Sequence, residues 1–442
     1  DFIKHFSTER KIAEISDDDL ATILYTSGTT GTPKGVMLSH GCFKDVISAH
    51  NQFFGFENLH TMKSLAFLPL SHIFERAWSL YVLSQGGEVA ILEDPKNILS
   101  ALKQVQPNAM CAVPRFYEKV YQTLVKKIDA ASPTKQKLFK KALEVGARVA
   151  DKKRTGASIP FGLNLQHKFF NALVFKKIKN ELGGNLEFLP CGGAMLKKEI
   201  SEFFAAIGLP VIVGYGLTET TATVTALPTK NYVYGSVGIP LPGVEIKIGA
   251  EDEILVKYGG VMKGYYKNEE ETAKVFTEDG YFRTGDAGRI DENGNLYIVD
   301  RIKDLMKTSN GKYIAPQTIE IPLQSHPEIS QAMVIAEGKP YVSAVIVPDF
   351  ETLIEKYQEF KNYVSLTIEE KKKLLESPFI KEKFEKIVAD IQKEFASYEK
   401  IKKFKLLPEE FTIEKGEITP TLKIKRRVVL EKLNSLIEGM YA

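Results

Sequence analysis

The chain has 442 residues, of which 44% are hydrophobic and 26% are charged, and its formal net charge is +3. These values are ordinary for a globular protein of two or three domains, and so small a charge gives no electrostatic reason to expect nucleic-acid binding. Three widely separated cysteines without CxxC spacing exclude a disulfide framework and a cysteine-based zinc site, and they favour a reducing, cytoplasmic compartment.

The first predicted elements are two short strands, Leu20–Tyr25 and Val36–His40, joined by a loop rich in Gly and Thr. The segment Tyr25–Gly35 reads YTSGTTGTPKG. Glycines let backbone amides surround an anion, hydroxyl groups add donors and metal ligands, and Lys34 adds a compact positive charge. A kinase-type phosphate loop is excluded, because Pro33 occupies the position of its second Gly. The segment therefore predicts a polyphosphate-binding loop of another kind, in preference to a flexible linker.

The next part of the chain alternates apolar runs with helical patterns. Over residues 20–125 this alternation predicts a layered α/β domain. Residues 130–182 are rich in Lys and carry apolar residues at helical spacing, which predicts helices near the surface. The strand-like run Leu186–Leu189 then opens a second α/β stretch.

A second motif, GYGLTET, occupies Gly214–Thr220 after the apolar run Leu209–Val213. The ring of Tyr215 can stack on a purine, the hydroxyl of Thr218 can donate to a phosphate oxygen, and the carboxylate of Glu219 suits Mg²⁺. The same residues are equally consistent with a turn and helix cap, in which Thr218 caps and Glu219 interacts with the helix dipole. The segment by itself leaves both interpretations open.

Residues 244–299 differ in character, because short alternating segments are separated by Gly turns. This pattern predicts a small antiparallel β-region with a hairpin turn at Asn293-Gly294. The predicted strands are Glu245–Ile248, Glu253–Val256, Gly288–Ile290 and Leu296–Val299. Within this region, YFRTGD places Asp286 in a Gly turn, where a carboxylate suits a ribose diol; an Asx-turn is the alternative.

The composition shifts again after residue 303, and residues 304–442 resemble a separate, smaller α+β domain. The many Lys and Glu residues of Leu353–Lys405 predict solvated helix faces. Near the end of the chain, Ile418–Arg427 reads ITPTLKIKRR. A Pro-Thr turn before Lys423 would present this lysine from a loop; a solvated basic patch is the alternative.

In this order and spacing, the motifs resemble those of the AMP-forming acyl-CoA synthetases of the adenylate-forming superfamily, and most closely the long-chain fatty-acid–CoA ligases. CGGAML at Cys191–Leu196 and DRIKDLMK at Asp300–Lys307 resemble further family segments. The resemblance implies an α/β fold: a large layered α/β domain with a small β-region over residues 1–302, and a smaller, mobile α+β C-terminal domain over residues 303–442. Because family members carry a substantial segment ahead of the phosphate loop, we expect this chain to be an N-terminally truncated piece.

The implied activity is ATP-dependent activation of a long-chain fatty acid through an acyl-AMP intermediate to acyl-CoA, with release of AMP and pyrophosphate. ATP, fatty acid and CoA are the implied substrates, and Mg²⁺ is the implied cofactor. Two kinds of alternative stay open: another adenylate-forming ligase, such as an aryl-acid ligase or an acyl-AMP ligase serving a carrier protein, and a non-catalytic nucleotide-binding module. Peripheral membrane contact and oligomerisation also stay open.

The resemblance assigns roles to individual residues. The implied catalytic residues are Lys423, Thr218 and Glu219. The implied magnesium ligands are Thr26 and Glu219. The implied phosphate loop consists of Thr26, Ser27, Gly28, Thr29, Thr30, Gly31 and Lys34. The implied nucleotide-binding residues are Gly193, Ala194, Gly214, Tyr215, Gly216, Asp286, Arg301 and Lys307.

Two further positions take their implied roles from the same resemblance. His72, in LPLSHIFER, matches a family histidine near the acyl and pantetheine tunnel, and Lys303 matches the hinge. The chain departs from the family pattern beside His72. Arg76 stands where some bacterial members have an aromatic gate, and Trp78 follows two residues later, so the motif gives little support to gating by Trp78.

Overall fold

A computed structural model describes residues 14–26, 33–55, 59–418 and 424–441. The chain divides into two compact units. Unit 1 comprises the residues up to Thr284 together with Gly288–Ile298, and unit 2 comprises Gly285–Ala287 and the residues from Val299 onward. Each unit encloses its own hydrophobic core.

Unit 1 combines helices with short strands, and a π-helical turn at Asn171–Phe175 separates the helix Phe161–Phe170 from the helix Lys176–Glu181. Its helices are α1 (His40–Phe54), α2 (Ile73–Ser84), α3 (Ile98–Val105), α4 (Pro114–Asp129), α5 (Pro133–Arg154), α6 (Phe161–Phe170), α7 (Lys176–Glu181), α8 (Lys198–Ala206) and α9 (Glu269–Lys274). Its strands are β1 (Leu20–Thr26), β2 (Lys34–Ser39), β3 (Lys63–Ala66), β4 (Glu88–Ile91), β5 (Leu189–Cys191), β6 (Val211–Tyr215), β7 (Thr225–Ala226), β8 (Ile239–Pro240), β9 (Glu245–Ile248), β10 (Glu253–Lys257) and β11 (Gly264–Tyr265).

Parallel strands form the centre of unit 1. β3 pairs with β4 and β5 pairs with β6, both in parallel, and the bridges Ser64–Ala109 and Ala112–Cys191 connect the two pairs. The first three residues of β6, Val211–Val213, are apolar and buried, as expected for a parallel strand that is covered on both faces. Because the strands run the same way, the glycines that follow β5 and β6 lie at one edge of the sheet.

The strand predicted at Leu186–Leu189 is displaced in the structure, where β5 begins at Leu189. The backbone amides of Glu187 and Phe188 both donate to the carbonyl oxygen of Asn108, at 2.8 and 3.1 Å, so a regular ladder starts only after them. The helices predicted over residues 130–182 are present as α5–α7. Their inner side chains enter the core, since Phe139, Phe170 and Phe175 are buried.

A four-stranded sheet contains the predicted antiparallel β-region. Its order is β13-β12-β10-β9, where β12 is Phe282–Ile290 and β13 is Leu296–Arg301. The hairpin predicted between them is confirmed, because Gly294 has a φ of +81°. The side chain of Asp291 fixes this turn by accepting the amides of Asn293 and Asn295 at 3.0 and 2.9 Å. β9 and β10 also lie where the sequence predicts them.

Unit 2 is built on a three-stranded sheet of order β16-β17-β18, where β16 is Ile329–Ile335, β17 is Ser343–Pro348 and β18 is Lys403–Leu406. Residues of opposite parity on β16 and β17 belong to two different clusters: Val334 and Ile346 pack in one, Met333 and Val345 in the other. Helices therefore cover both faces of the sheet. The elements of unit 2 are β14 (Met306–Lys307), β15 (Tyr313–Ile314), α10 (Pro316–Ser325), β16 (Ile329–Ile335), β17 (Ser343–Pro348), α11 (Phe350–Lys356), α12 (Ile368–Leu375), α13 (Pro378–Ile391), β18 (Lys403–Leu406), α14 (Arg426–Lys432) and α15 (Asn434–Tyr441).

Candidate functional site

The Gly/Thr-rich segment connects the two antiparallel strands β1 and β2. Thr26 and Lys34 face each other as the last pair of this ladder, with the hydroxyl of Thr26 3.5 Å from the carbonyl oxygen of Lys34. The predicted loop residues between them lie outside the described residues: Ser27, Gly28, Thr29, Thr30 and Gly31.

The ammonium group of Lys34 is already engaged in unit 1. It forms an ion pair with Glu271 and lies 5.0 Å from the centre of the Tyr265 ring. Hydrogen bonds from Lys34 and Lys274 lower the pKa of Glu271 to about 2. An incoming polyphosphate would therefore compete with the Glu271 carboxylate for Lys34.

The GYGLTET segment begins at the end of β6 and turns back into β7. A Cβ atom at Gly216 would lie 1.3 Å from the carbonyl oxygen of Ala222, so only glycine fits this crossing of two backbones. Just beyond it, Thr221 and Ala222 have φ values of +46° and +75°. Non-glycine residues with such positive φ values are strained, and they cluster at functional sites.

Of the alternative interpretation of this segment, the turn is present, whereas the helix cap formed by Thr218 is wrong. Thr218–Thr220 forms a single 3₁₀ turn, and the amide of Leu217 donates to the hydroxyl of Thr220 at 2.8 Å. Within the described part of the chain, the hydroxyl of Thr218 forms no hydrogen bond. One turn has too small a dipole to explain a carboxylate at Glu219.

Glu219 connects the second motif to the first. One of its carboxylate oxygens, Oε1, accepts a hydrogen bond from the hydroxyl of Tyr265 at 3.1 Å, and its carbonyl oxygen accepts the amide of Met262 at 2.8 Å. The ring of Tyr265 is also the one that faces Lys34. The structure thus brings Lys34 and Glu219, 185 positions apart in the sequence, around one tyrosine that the sequence analysis did not identify.

The residues after β5 lie beside those after β6. A Cβ atom at Gly192 would be 3.5 Å from the carbonyl oxygen of Gly214, and Gly193 has a φ of +84°. Gly193 and Ala194 are exposed, and Tyr215 is partly buried. The proposed adenine-binding residues of unit 1 therefore share one edge of the sheet.

His72 is an exposed residue at the N-terminus of α2. The loop that carries it is held by the buried carboxylate of Glu75, which accepts the amides of Phe67 and Leu68 at 3.3 and 3.1 Å. Burial raises the pKa of Glu75. Trp78 is buried and donates to the hydroxyl of Ser64 at 2.8 Å, which is the arrangement of a core residue.

A cleft of about 420 Å³ lies at the opposite ends of the same strands. Its lining includes Asn108 and Pro210, which precede strand residues, and the apolar side chains of Met62 and Phe188. It is therefore separate from the glycine-rich edge. In the described residues, no cluster of three or more His, Cys, Asp or Glu side chains could hold a metal ion. None of the described helices has both the length and the apolar character needed to cross a bilayer.

In unit 2, Asp286 and Arg301 form an ion pair. Arg301 Nε lies 2.7 Å from Asp286 Oδ1, and the Asp286 side chain is only 6% exposed. The prediction of a Gly turn or an Asx-turn at Asp286 is wrong, because this residue lies within strand β12. Pairing of β12 with β13 brings the two residues together.

The segment Asp300–Lys307, which carries the predicted hinge residue Lys303, contains a buried carboxylate that the sequence analysis did not single out. Asp300 accepts the amide of Arg301 at 2.7 Å and that of Gln317, in the first turn of α10, at 3.0 Å. Burial raises the pKa of Asp300. Lys303 lies in the short 3₁₀ turn that follows, and the ammonium group of Lys307 lies 5.4 Å from the ring of Tyr313.

Lys423 lies outside the described residues, but both flanks of its segment are described. Ile418 and Ile424 form an antiparallel bridge. Two residues later, Arg426 donates to the carboxylate of Glu320 at 2.6 Å. The ends of the segment that carries Lys423 are thus anchored to unit 2.

The sequence matches known families over most of its length. Residues 3–266 match the AMP-binding enzyme family, and residues 303–442 match the AMP-binding enzyme C-terminal domain. The long-chain-fatty-acid–CoA ligase FadD15 of Mycobacterium bovis is 35% identical over 98% of this chain and 71% of its own length.

Solved structures share the fold. The crystal structure of an ATP-bound RpMatB-BxBclM chimera matches with a TM-score of 0.67 and 25% identity, over 97% of this chain and 71% of that chain. O-succinylbenzoate coenzyme A synthetase from Bacillus subtilis, in complex with ATP and a magnesium ion, matches with a TM-score of 0.63 and 23% identity. The match covers 96% of this chain and 73% of that chain. At 23% identity, the likeness to the second structure concerns the fold alone.

Proposed function

Because the chain belongs to the AMP-binding enzyme family, we propose that it is a long-chain fatty-acid–CoA ligase. It activates a fatty acid with ATP through an acyl-adenylate and transfers the acyl group to CoA, releasing AMP and pyrophosphate. The family and the α/β fold predicted from the sequence are confirmed by the matches. The residue roles that follow are proposals.

The observation that supports this function most strongly is the arrangement around Tyr265. In the first half-reaction, a carboxylate oxygen attacks the α-phosphorus of ATP, and the bond to pyrophosphate breaks. An anion approaches a polyanion, so neutralising charge is the main catalytic task. Lys34 supplies a cation and Glu219 a carboxylate next to the predicted phosphate loop. Neither role is expected of a simple structural turn.

The residues present fit a magnesium ion. Oε1 of Glu219 accepts a hydrogen bond, whereas within the described residues Oε2 accepts none. Mg²⁺ is usually held by one or two carboxylates together with substrate phosphates. We assign Glu219 and the hydroxyl of Thr26 to this ion, which when bound would neutralise phosphate charge. Thr218, whose hydroxyl forms no hydrogen bond in the described part of the chain, would donate to the α-phosphate.

We assign the remaining nucleotide contacts in the same way. Gly193, Ala194, Gly214, Tyr215 and Gly216 would surround the adenine. The carboxylate of Asp286 would accept hydrogen bonds from the two ribose hydroxyl groups. Arg301 holds that carboxylate in one orientation, because the ion pair fixes Oδ1. Lys307 would add positive charge near the nucleotide.

We infer the path of the acyl chain from an aromatic cluster. It begins at Phe74 in the first turn of α2, whose ring would be 3.5 Å from a Cβ atom at Gly192. The cluster continues through Trp78 to Phe188. The rings of these two residues are stacked, with their centres 5.8 Å apart. Phe188 also lines the cleft at the opposite ends of the strands. We propose that the acyl chain runs along this cluster, with His72 at its entrance.

Lys423 would neutralise the developing charge on the α-phosphate, and Lys303 would serve as the hinge that allows the thioester half-reaction. The test is ATP–pyrophosphate exchange with a panel of fatty acids. We expect exchange to require Mg²⁺ and to fall about 10²–10³-fold in Lys423→Ala, by analogy with loss of an oxyanion donor. Thioester formation from synthetic acyl-AMP and CoA should be retained. The matched control is Lys425→Ala, an exposed lysine two positions away.

Different results would point to different functions. Equal loss of both half-reactions in Lys423→Ala would mean that the lysine is structural. ATP binding without exchange under any acid would indicate a nucleotide-binding module. Exchange without CoA-dependent release of AMP would indicate an acyl-AMP ligase that serves another acceptor.

A further inference from the structure

Helix α6 displays a stripe of large apolar side chains on its outer surface. Phe161, Leu165 and Phe169 are 85%, 60% and 56% exposed. Their spacing of four residues places them on one face of the helix. The opposite face is anchored, because Leu163 and Phe170 are buried in the core of unit 1. The stripe is therefore held outward by a docked helix.

The same region carries a concentrated positive charge. Residues 133–181 contain twelve Lys and Arg against three Asp and Glu, a net charge of +9, so the rest of the chain carries −6 to give the total of +3. Ten of the twelve cations are lysines. This asymmetry is hidden by the small net charge of the whole chain.

Three of these twelve cations lie beside the apolar stripe. A shallow depression between α5 and α6 is lined by Leu165 and Phe169 together with Lys141, Arg148 and Lys168. Leu138 on α5 and Leu173 in the π-helical turn are also exposed, at 38% and 42%. Apolar side chains rimmed by cations are the pattern of a helix that lies in a membrane interface.

We propose that the outer face of α5 and α6 binds the surface of an anionic phospholipid bilayer. This face, the α6 surface, consists of Lys141, Arg148, Phe161, Leu165, Lys168 and Phe169. The Phe and Leu side chains would enter the boundary between headgroups and acyl chains, and the lysines would remain among the headgroups. A protein partner fits less well, because lysine is depleted at protein–protein interfaces, whereas anionic lipids attract it without requiring exact geometry. The proposal is independent of the proposed ligase activity.

The test is co-sedimentation of the full chain with vesicles. One set contains phosphatidylcholine alone, and the other contains three parts phosphatidylcholine to one part phosphatidylglycerol. We expect binding to the anionic vesicles only, and weaker binding as salt is added. Each of Lys141→Glu, Arg148→Glu and Lys168→Glu should weaken partitioning by about fivefold or more. The double variant Leu165→Ser/Phe169→Ser should weaken it at least about tenfold.

Matched controls come from α13 of unit 2. Phe379 is 50% exposed and Lys381 is exposed, so Phe379→Ser and Lys381→Glu make the same chemical changes elsewhere. Both should bind vesicles as the unmodified chain does. All substituted side chains are exposed, and thermal melts of each variant check that folding is unchanged.

A second measurement reports insertion directly. The three native cysteines are buried, so Leu165→Cys can be labelled selectively with an environment-sensitive fluorophore. We expect a blue shift of its emission on anionic vesicles, and none for the same label at Phe379→Cys.

Two results would overturn the proposal. The first is no binding of the unmodified chain to anionic vesicles, or binding that the substitutions in the α6 surface leave unchanged. The second is a concentration-dependent dimer in sedimentation velocity that Leu165→Ser/Phe169→Ser dissociates, in the absence of vesicle binding. The latter would identify a second copy of the chain as the partner of this face.

Discussion

The anchoring of α14 to the core of unit 2 gives a prediction that can be worked out from the structure. Arg426 begins this helix just after the segment that carries Lys423, and it donates to Glu320 Oε2 at 2.6 Å and to the carbonyl oxygen of Val334 at 3.1 Å. The other carboxylate oxygen of Glu320 accepts the amide of Val334 at 2.6 Å. Glu320 is 6% exposed, so its negative charge depends on Arg426.

The perturbation is Arg426→Met, which keeps an apolar stem and leaves the Glu320 carboxylate buried without its cation. Removing one partner of a buried ion pair costs about 3–5 kcal/mol. We expect the free energy of unfolding to fall by about 3 kcal/mol at neutral pH. This value is the lower end of the range, because the Arg426 side chain is 22% exposed. In the double variant Glu320→Gln/Arg426→Met no charge is stranded and Val334 keeps an acceptor. Its free energy of unfolding should fall by only about 1 kcal/mol.

The loss of stability should depend on pH. Burial raises the pKa of Glu320, and Arg426 opposes this rise. Without Arg426 the pKa of the folded state moves further above that of the unfolded chain, so the folded state binds a proton more tightly. The variant should therefore be nearly as stable as the original chain below about pH 4.3 and should lose stability as pH rises through the folded-state pKa.

Urea unfolding followed by circular dichroism at acidic and neutral pH measures both effects. Trp78, the single tryptophan, lies in unit 1, so its fluorescence is an internal control that should not change. Arg427→Met, at a side chain that is 91% exposed, is the matched control variant. The reasoning is refuted if Arg426→Met costs less than about 1 kcal/mol, if its effect is independent of pH, or if the double variant is no more stable than the single one.

Three further predictions concern unit 1. Gly216→Ala should lower pyrophosphate exchange more than tenfold, because its Cβ would lie 1.3 Å from a backbone oxygen. In the control Gly162→Ala the added Cβ meets nothing within 4 Å, so exchange should not change. Equal exchange activity of the two variants would contradict the proposed role of Gly216. Glu75→Leu removes the acceptor of two amides in the loop before His72 and should destabilise the fold by about 2–3 kcal/mol in thermal or urea melts, with Glu75→Gln milder. Phe188→Ala should shift the preference in exchange assays towards longer fatty acids; an unchanged profile would place the acyl chain elsewhere.

Local chemistry explains which features could be predicted from the sequence. The hairpin at Asn293-Gly294 follows from a glycine that adopts a positive φ and from an Asp291 side chain that bonds its own turn. The strands β9 and β10 follow from alternation of apolar residues. In such elements the decisive interactions join residues a few positions apart, so the sequence carries the information directly.

Other features could not be predicted, because their partners are distant in the sequence. Residues 218 and 220 are both threonine, yet it is the hydroxyl of Thr220 that accepts the hydrogen bond from the amide of Leu217. The local sequence predicts a turn at Asp286, but the residue lies in strand β12, where pairing with β13 brings Arg301 to its carboxylate.

The order of the motifs, the family and the hairpin at Asn293-Gly294 follow from residue type and short spacing alone. The roles of Lys423 and of the loop residues 27–31 stay predictions. Long-range packing is what places Lys34 against Glu271, joins Lys34 to Glu219 through Tyr265, and turns the stripe on α6 outward. These contacts depend on which strands and helices become neighbours, and that choice is made by packing of the whole chain into its cores.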